Sequence, residues 1–280
     1  MKEKINIFIL IGIFYSISSV DYSAWRDYPT CRLGRLQSPI NFAETDSTYS
    51  KDFSFVYQNY IGFDFEIDKS NKNSDYAIVS KVKTNNRNNG GYINFERGGV
   101  IKQYELLRFE IYPLLHHIDG DEGNYELHLV HKKNLDFNTN KNQYRSIQDA
   151  NMYLIVVLRY RKDCSKEPCT SDNGLLDKIL NGNGKVDLNE FPIFQDKRAY
   201  LYEGSSLHIP CDENVNYYIV KDFFYTNEEL KFEFTKEDIG QANRFDRPIY
   251  KNFMNYREVM KSNYISNHIL ILFLLIFILF

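Results

Sequence analysis

Two short segments gather the side chains of this chain that could hold a metal or move a proton: Phe109-Glu110-Ile111-Tyr112 and Tyr125-Glu126-Leu127-His128-Leu129-Val130-His131, with His116-His117 between them. Imidazoles and carboxylates are the nitrogen and oxygen ligands of Zn²⁺. Strand periodicity divides the group, because residues an even number apart share a face. His131 lies three residues beyond His128 and so points the opposite way, which argues against one site built from His116, His117, His128, His131 and Glu110. Two other constellations are weaker. Asn181-Gly182-Asn183-Gly184-Lys185-Val186-Asp187-Leu188-Asn189-Glu190 resembles part of a calcium loop, but its first ligand position would fall on Ile179, which has no oxygen. Asp119-Gly120-Asp121-Glu122-Gly123 reads as a solvated acidic turn rather than a carboxylate pair for acid–base work.

The segments that must position these residues are strand-like. Phe53–Tyr57, Tyr60–Ile67, Tyr76–Val79, Tyr92–Phe95, Leu106–Tyr112, Glu126–Val130, Met152–Tyr160 and Tyr217–Val220 are short aromatic or β-branched runs separated by Asn, Gly, Asp and Lys turns. Met152–Leu158 is apolar on both faces, as expected of a central buried strand. Helical signal is confined to Asn173–Leu180 and Asn227–Phe234. No internal repeat and no Pro- or Ser-rich linker divides the chain, so the reading is one mainly β domain over residues 21–260.

Composition bounds the rest. The chain has 280 residues, 43% hydrophobic and 25% charged; 22 Tyr and 21 Phe favour rings packed on pleated sheet faces, and a net charge of -3 carries no nucleic-acid footprint. Met1-Lys2-Glu3-Lys4, the apolar run Ile5–Tyr15 and small residues to Ser19 read as a secretory signal over residues 1–20. Residues 261–280 end in twelve apolar residues, Ile269–Phe280, which suit either a removable lipid-anchor signal or a short membrane-spanning tail. Either tethers an exported protein at the extracellular face of a membrane. Cys31, Cys164, Cys169 and Cys211 then imply disulfides, with three possible pairings. Cys164 and Cys169 are spaced for a small surface loop, and no C-x-x-C pair supports a cysteine zinc site. No N-x-[ST] sequon occurs.

Tyr125–His131 resembles the E-L-H-x-V-H strand of α-class carbonic anhydrases, and other landmarks follow in that family's order. Gln37-Ser38-Pro39-Ile40-Asn41 is similar to its Q-S-P-I-[ND] segment, Asn89-Gly90-Gly91 to its N-G-H turn and Leu154–Leu158 to its L-A-V-L strand. Tyr202–Glu213 resembles Y-x-G-S-L-T-T-P-x-C-x-E, and Arg247-Pro248 the late R-P. The resemblance implies a large, twisted, mainly antiparallel central β-sheet with short helices, and a disulfide pairing Cys31 with Cys211. It also implies a catalytic zinc on three histidines, whose bound water attacks carbon dioxide. Only His128 matches one of these. Glu110 and Tyr112 stand at the other two positions, and a neutral phenol with a pKa near 10 is a poor ligand.

The same resemblance puts Gly91 at the proton-shuttle position, Leu207 at that of the hydroxide-orienting threonine and Leu115 at that of its supporting glutamate. Arg108 replaces a glutamine that braces a zinc histidine. Glu126 matches the carboxylate behind the retained histidine, while Val130, Ser206 and Tyr217 fall on the pocket wall. The expectation is therefore a catalytically inactive, carbonic-anhydrase-related member with no cofactor, serving recognition of an unidentified extracellular protein or ligand, or a structural role. The competing expectation is carbon dioxide hydration by zinc at an atypical site that includes His128.

Overall fold

The computed structural model describes residues 31, 34–51, 53–57, 63–67, 78–83, 92–134, 152–165, 169–181, 185–186, 188, 198–208, 211–231 and 248–251. The N-terminal segment 1–20, the turn at Asn89-Gly90-Gly91, Arg247 and the tail 261–280 lie outside them. The strands are β1 (Asn41–Phe42), β2 (Ser47–Tyr49), β3 (Phe53–Tyr57), β4 (Phe63–Ile67), β5 (Ile78–Lys83), β6 (Tyr92–Arg97), β7 (Val100–Pro113), β8 (His117–Ile118), β9 (Tyr125–Lys133), β10 (Tyr153–Arg161), β11 (Lys185–Val186), β12 (Ala199–Gly204), β13 (Val215–Tyr225) and β14 (Ile249–Lys251), with one helix, α1 (Leu175–Asn181). Residues 227–231 are not helical, and the rest of the expected Asn227–Phe234 helix is outside the described residues. Leu230 instead packs, partly buried, against the core.

Twelve strands form one sheet in the order β11-β4-β5-β7-β9-β10-β13-β12-β14-β2, with β6 pairing β7 and β3 pairing β6. It is mainly antiparallel, as expected, with β10–β13 and β14–β2 parallel. The short strands β1 and β8 pair separately. β6 and β7 join through Gly98-Gly99, both at positive φ (58° and 77°), the geometry a two-residue hairpin turn needs. α1 starts where Asp172 accepts hydrogen bonds from the backbone N–H groups of Gly174 and Leu176, each at 2.9 Å. It buries Leu175, Leu176 and Ile179 against one sheet face.

Side-chain alternation splits the interior into two layers. On the outer face lie Phe109, Ile111, Leu127, Leu129, Leu154, Val156, Leu158, Leu201 and Val220 with α1. On the inner face lie Val130, Ile155, Val157, Tyr200, Tyr202, Tyr217 and Ile219, covered by Ile40 and Phe42 of the N-terminal segment. The central run Leu154–Leu158 is buried on both faces, which is why it reads as uninterrupted hydrophobicity.

A β-bulge aims the chemistry. The β7–β9 register passes from Leu106↔His131 to Arg108↔Val130, leaving Leu107 unmatched. Before it, even-numbered Tyr104 and Leu106 face the outer core; after it, odd-numbered Phe109 and Ile111 do. Arg108, Glu110 and Tyr112 are thereby turned to the inner face, with Glu110 opposite His128 and Tyr112 opposite Glu126.

The N-terminal segment is tied down covalently and by hydrogen bonds. Cys31–Cys211 closes 180 residues and Cys164–Cys169 closes five. On a chain-entropy model the long bridge contributes roughly 5 kcal/mol and the short one roughly 2 kcal/mol, so the first dominates. Beside it, Glu213 accepts from Leu36 N–H at 2.5 Å and from Gln37 Nε2 at 2.9 Å. Ser38 donates its N–H to Ser205 Oγ at 3.0 Å and accepts the Ser205 N–H at 3.2 Å.

Close approach at this junction requires glycine: a Cβ on Gly204 would lie 2.1 Å from Ser38 Oγ and 2.9 Å from the Tyr202 ring. Gly204→Ala should lower stability by about 1–3 kcal/mol through overpacking. Chemical denaturation will measure this, and adding Ser38→Ala should recover part of the loss; an unchanged midpoint for the single variant contradicts the packing argument.

Candidate functional site

The inner face of β7 and β9 carries two buried carboxylates, each with three donors. Glu126 Oε1 accepts the backbone N–H of His116 at 2.6 Å, and its Oε2 accepts from His116 Nδ1 at 2.8 Å and His128 Nε2 at 2.9 Å. All three residues are fully buried. Burial pushes the Glu126 carboxyl upward, but the imidazoles of His116 and His128 outweigh it and hold the group far below the usual range. The His116 ring continues the chain, with Nε2 2.7 Å from the Tyr202 hydroxyl. Tyr202 stacks on Tyr217 at 4.9 Å, and Tyr217 donates its hydroxyl to the Ser205 carbonyl at 2.7 Å.

Glu110 is the second carboxylate. Its Oε1 accepts from Arg108 Nε at 2.5 Å and His208 Nε2 at 2.8 Å, and its Oε2 accepts the Tyr112 hydroxyl at 2.8 Å. Burial again acts upward and is overcome, here by His208 and Arg108, so the carboxyl is ionised. Tyr112 is driven the other way: burial, reinforced by the Glu110 charge, raises its phenol well above 10. Tyr112 is thus a neutral donor. Arg108 and His208 retain side-chain exposures of 28% and 30%, while Glu110 is 2% exposed, so the network runs from the buried floor to the solvent side.

His128 is set against the Tyr112 ring, centroids 4.7 Å apart. Because Glu126 can only accept, His128 carries its proton on Nε2, leaving Nδ1 as a bare lone pair; that atom is buried with no hydrogen-bond partner among the described residues. Burial lowers the His128 pKa, partly offset by Glu126, which keeps the ring neutral. His116, Glu126 and His128 offer ligand atoms within 4.8 Å of one another. That proximity is the hydrogen bonding just described, since both imidazoles direct N–H groups at one oxygen.

The donor set does not fit zinc. Structural and catalytic zinc sites need three or four lone-pair donors converging on one point. Here Tyr112 is a protonated donor, Glu110 already accepts from three donors, and His128 Nδ1 is a single nitrogen lone pair with no hydrogen-bond partner among the described residues. His131, on the opposite face, bonds the Leu154 carbonyl through Nδ1 at 3.2 Å, and His117 bonds the Asp121 carbonyl at 2.9 Å, so neither joins the group. Val130, Leu115 and Leu207 are buried. Ser206 accepts the His208 N–H at 3.0 Å. Gly91 and most of Asn181–Glu190 lie outside the described residues.

His208 is the site residue that sequence reasoning missed. It occurs 98 residues beyond Glu110, in the segment likened to Y-x-G-S-L-T-T-P-x-C-x-E, where Ser206, Leu207 and Cys211 were given roles and His208 none, and the loop ending at the Cys31–Cys211 bridge delivers it. A histidine in the Y-x-G-S segment was the available signal.

Residues 20–264 match the eukaryotic-type carbonic anhydrase family. The chain is 23% identical over 269 residues to "Carbonic anhydrase 6" of Homo sapiens, covering 89% of this chain and 82% of that protein. It is 26% identical over 202 residues to "Alpha carbonic anhydrase 8" of Arabidopsis thaliana, covering 70% of this chain and 46% of that protein, so the match spans under half of that relative. Among solved structures, it is similar to dioscorin complexed with ascorbate (TM-score 0.57, 18% identity, 82% of this chain and 91% of that one). It is also similar to a halotolerant carbonic anhydrase from Dunaliella salina (TM-score 0.52, 16% identity, the same coverages). These two likenesses show the fold.

Burial pushes the His131 imidazole down to about 4, whereas an unfolded histidine titrates near 6.5. Its contribution to stability is therefore complete above pH 6.5 and is lost as pH falls toward 4, by roughly 3 kcal/mol. The depressed carboxyls of Glu110 and Glu126 act in the same direction only below about pH 4.5. Buried His128, also lowered, acts with the same sign in this window, so urea unfolding between pH 7 and 5 should show the decline and His131→Leu should make it shallower without abolishing it; an identical slope in the variant refutes the assignment.

Proposed function

Because this chain belongs to the eukaryotic-type carbonic anhydrase family over residues 20–264, we propose that it is an exported, membrane-tethered member that keeps the fold without the zinc chemistry and acts as an extracellular recognition or structural module. The observation that carries this reading is Glu110. Its carboxylate stands directly across the sheet from His128 and is engaged by Arg108, His208 and Tyr112, so its charge is neutralised within the protein. Removing one partner of such a buried ionic group costs several kcal/mol, which makes the network a committed piece of the interior.

Other observations support the same reading. Leu207 and Leu115 are buried apolar groups where the family resemblance expects a hydroxyl and a carboxylate, so neither can orient a nucleophile. Two disulfides suit an oxidising, extracellular environment. Among the described residues no helix is long and apolar enough to cross a membrane. Tethering rests on the hydrophobic segment Ile269–Phe280.

Purified ectodomain is expected to carry far less than one zinc per chain by elemental analysis and to leave carbon dioxide hydration at its uncatalysed rate, with His128→Ala producing no change. Stoichiometric zinc, together with hydration abolished by His128→Ala, would establish the enzyme reading instead. For the tether, phosphatidylinositol-specific phospholipase C should release the protein from intact cells; retention after treatment points to a spanning tail.

A further inference from the structure

The chain contains the pairs Asn89-Gly90, Asn173-Gly174, Asn181-Gly182 and Asn183-Gly184. Asparagine is chemically vulnerable before glycine, because no Cβ obstructs attack of the glycine nitrogen on the asparagine side-chain carbonyl. Sequence alone does not rank these pairs. Gly90, Gly182 and Gly184 lie outside the described residues, whereas Asn173 and Gly174 are both exposed in the turn that leads from the Cys164–Cys169 loop into α1. A Cβ on Gly174 would meet no atom within 4 Å, so the position is open.

The two residues before this pair place a donor and an acceptor where such an attack needs them. Ser171 donates its hydroxyl to Asn173 Oδ1 at 3.3 Å, while its oxygen accepts the Asn173 N–H at 3.1 Å. Asp172 Oδ1 accepts the Gly174 N–H at 2.9 Å, and its Oδ2 accepts the Leu176 N–H at 2.9 Å, which fixes the carboxylate. A hydroxyl thus polarises the carbonyl to be attacked, and a carboxylate rests on the proton of the attacking nitrogen.

We propose that Asn173 is a modification site at which the chain deamidates itself through a cyclic imide with Gly174. The Gly174 nitrogen bonds to Asn173 Cγ as its proton passes to Asp172, and the electron pair displaced onto Oδ1 is stabilised by the Ser171 hydroxyl. That pair then returns to restore the carbonyl. The Cγ–Nδ2 bond breaks, Asp172 gives its proton to the departing nitrogen, and ammonia leaves. Water opens the imide at one carbonyl or the other, giving aspartate or isoaspartate.

The isoaspartyl product inserts an extra carbon into the main chain between Asp172 and Gly174. It draws the Gly174 and Leu176 N–H groups away from the carboxylate at which α1 begins. Because α1 carries Leu175, Leu176 and Ile179 into the outer core, an exposed chemical event loosens a buried layer.

The test incubates the full chain, both disulfides intact, at pH 7.4 and 37 °C beside a synthetic peptide of residues 167–178. Peptide mass spectrometry with isoaspartyl methyltransferase labelling reads position 173. Asn173 is expected to convert in the folded chain, and Ser171→Ala, an exposed change that leaves the Asp172 cap in place, should slow it about three- to tenfold, the worth of one hydrogen bond. Asp172→Asn should slow it as well, and Ser171→Ala carries the test if that variant does not fold. In the peptide, where nothing holds the two neighbours in position, Ser171→Ala should leave the rate unchanged. Hydrogen exchange at Leu175, Leu176 and Ile179 should quicken as isoaspartate accumulates. Asn173 that stays intact in the folded chain while the peptide reacts overturns the proposal, as does conversion that Ser171→Ala leaves unchanged or slows equally in chain and peptide.

Discussion

The interaction on which the molecule depends is the buried carboxylate of Glu126 with its three donors. An isolated ionised carboxylate in a protein interior costs far more than a domain's net stability, so it persists only where donors are fully arranged around it. Here they come from the backbone and ring of His116 and the ring of His128. That requirement ties the segment after β7 to the middle of β9. Through the short contact of His116 with Tyr202, it extends to the last inner strands and to Ser38 of the N-terminal cover. A strand pair, a loop and the covering layer are thus fixed to one charge.

Glu110, one residue pair along the same face, repeats the solution with different partners. Arg108 supplies a permanent charge, His208 a ring from a distant loop, and Tyr112 a hydroxyl. The two carboxylates differ in consequence. Around Glu126 the donors are all buried and the group is architectural; around Glu110 two of the donors reach partly exposed positions, so the network connects the interior with solvent. A divalent cation in a protein site relieves converging lone pairs. Here hydrogen-bond donors converge on an anion, and the roles are reversed.

The bulge at Leu107 makes both arrangements possible. Without the unmatched residue, Glu110 and Tyr112 would face the outer core with Leu127 and Leu129, away from the imidazoles and guanidinium that now offset the charge. With it, Phe109 and Ile111 take the outer positions and the polar residues meet His128 and Glu126. The inner face is correspondingly aromatic, with Tyr200, Tyr202 and Tyr217 bringing large rings and hydroxyls that can end hydrogen-bond chains.

Much of this was legible in the residues themselves. Alternation in Tyr125–His131 placed His128 and His131 on opposite faces, and the doubly apolar Leu154–Leu158 marked a central strand, because both patterns are local consequences of a two-residue period. Short pieces such as β2, β8 and β14 escaped notice, since two or three residues carry no period and exist as strands only through their partners. The expected Asn227–Phe234 helix is not formed over 227–231, which are neither helix nor strand, because Leu230 is held by a core that sequence alone does not display. His208 was unreadable as a partner of Glu110 because 98 residues separate them and only loop closure brings the ring to the carboxylate. What the chain determined by itself was which side chains are available and, strand by strand, which alternate together. Tertiary structure decided which of them meet, and so whether a carboxylate at position 110 waits for a cation or is already satisfied, because charge neutralisation depends on distances across the sheet rather than along the chain.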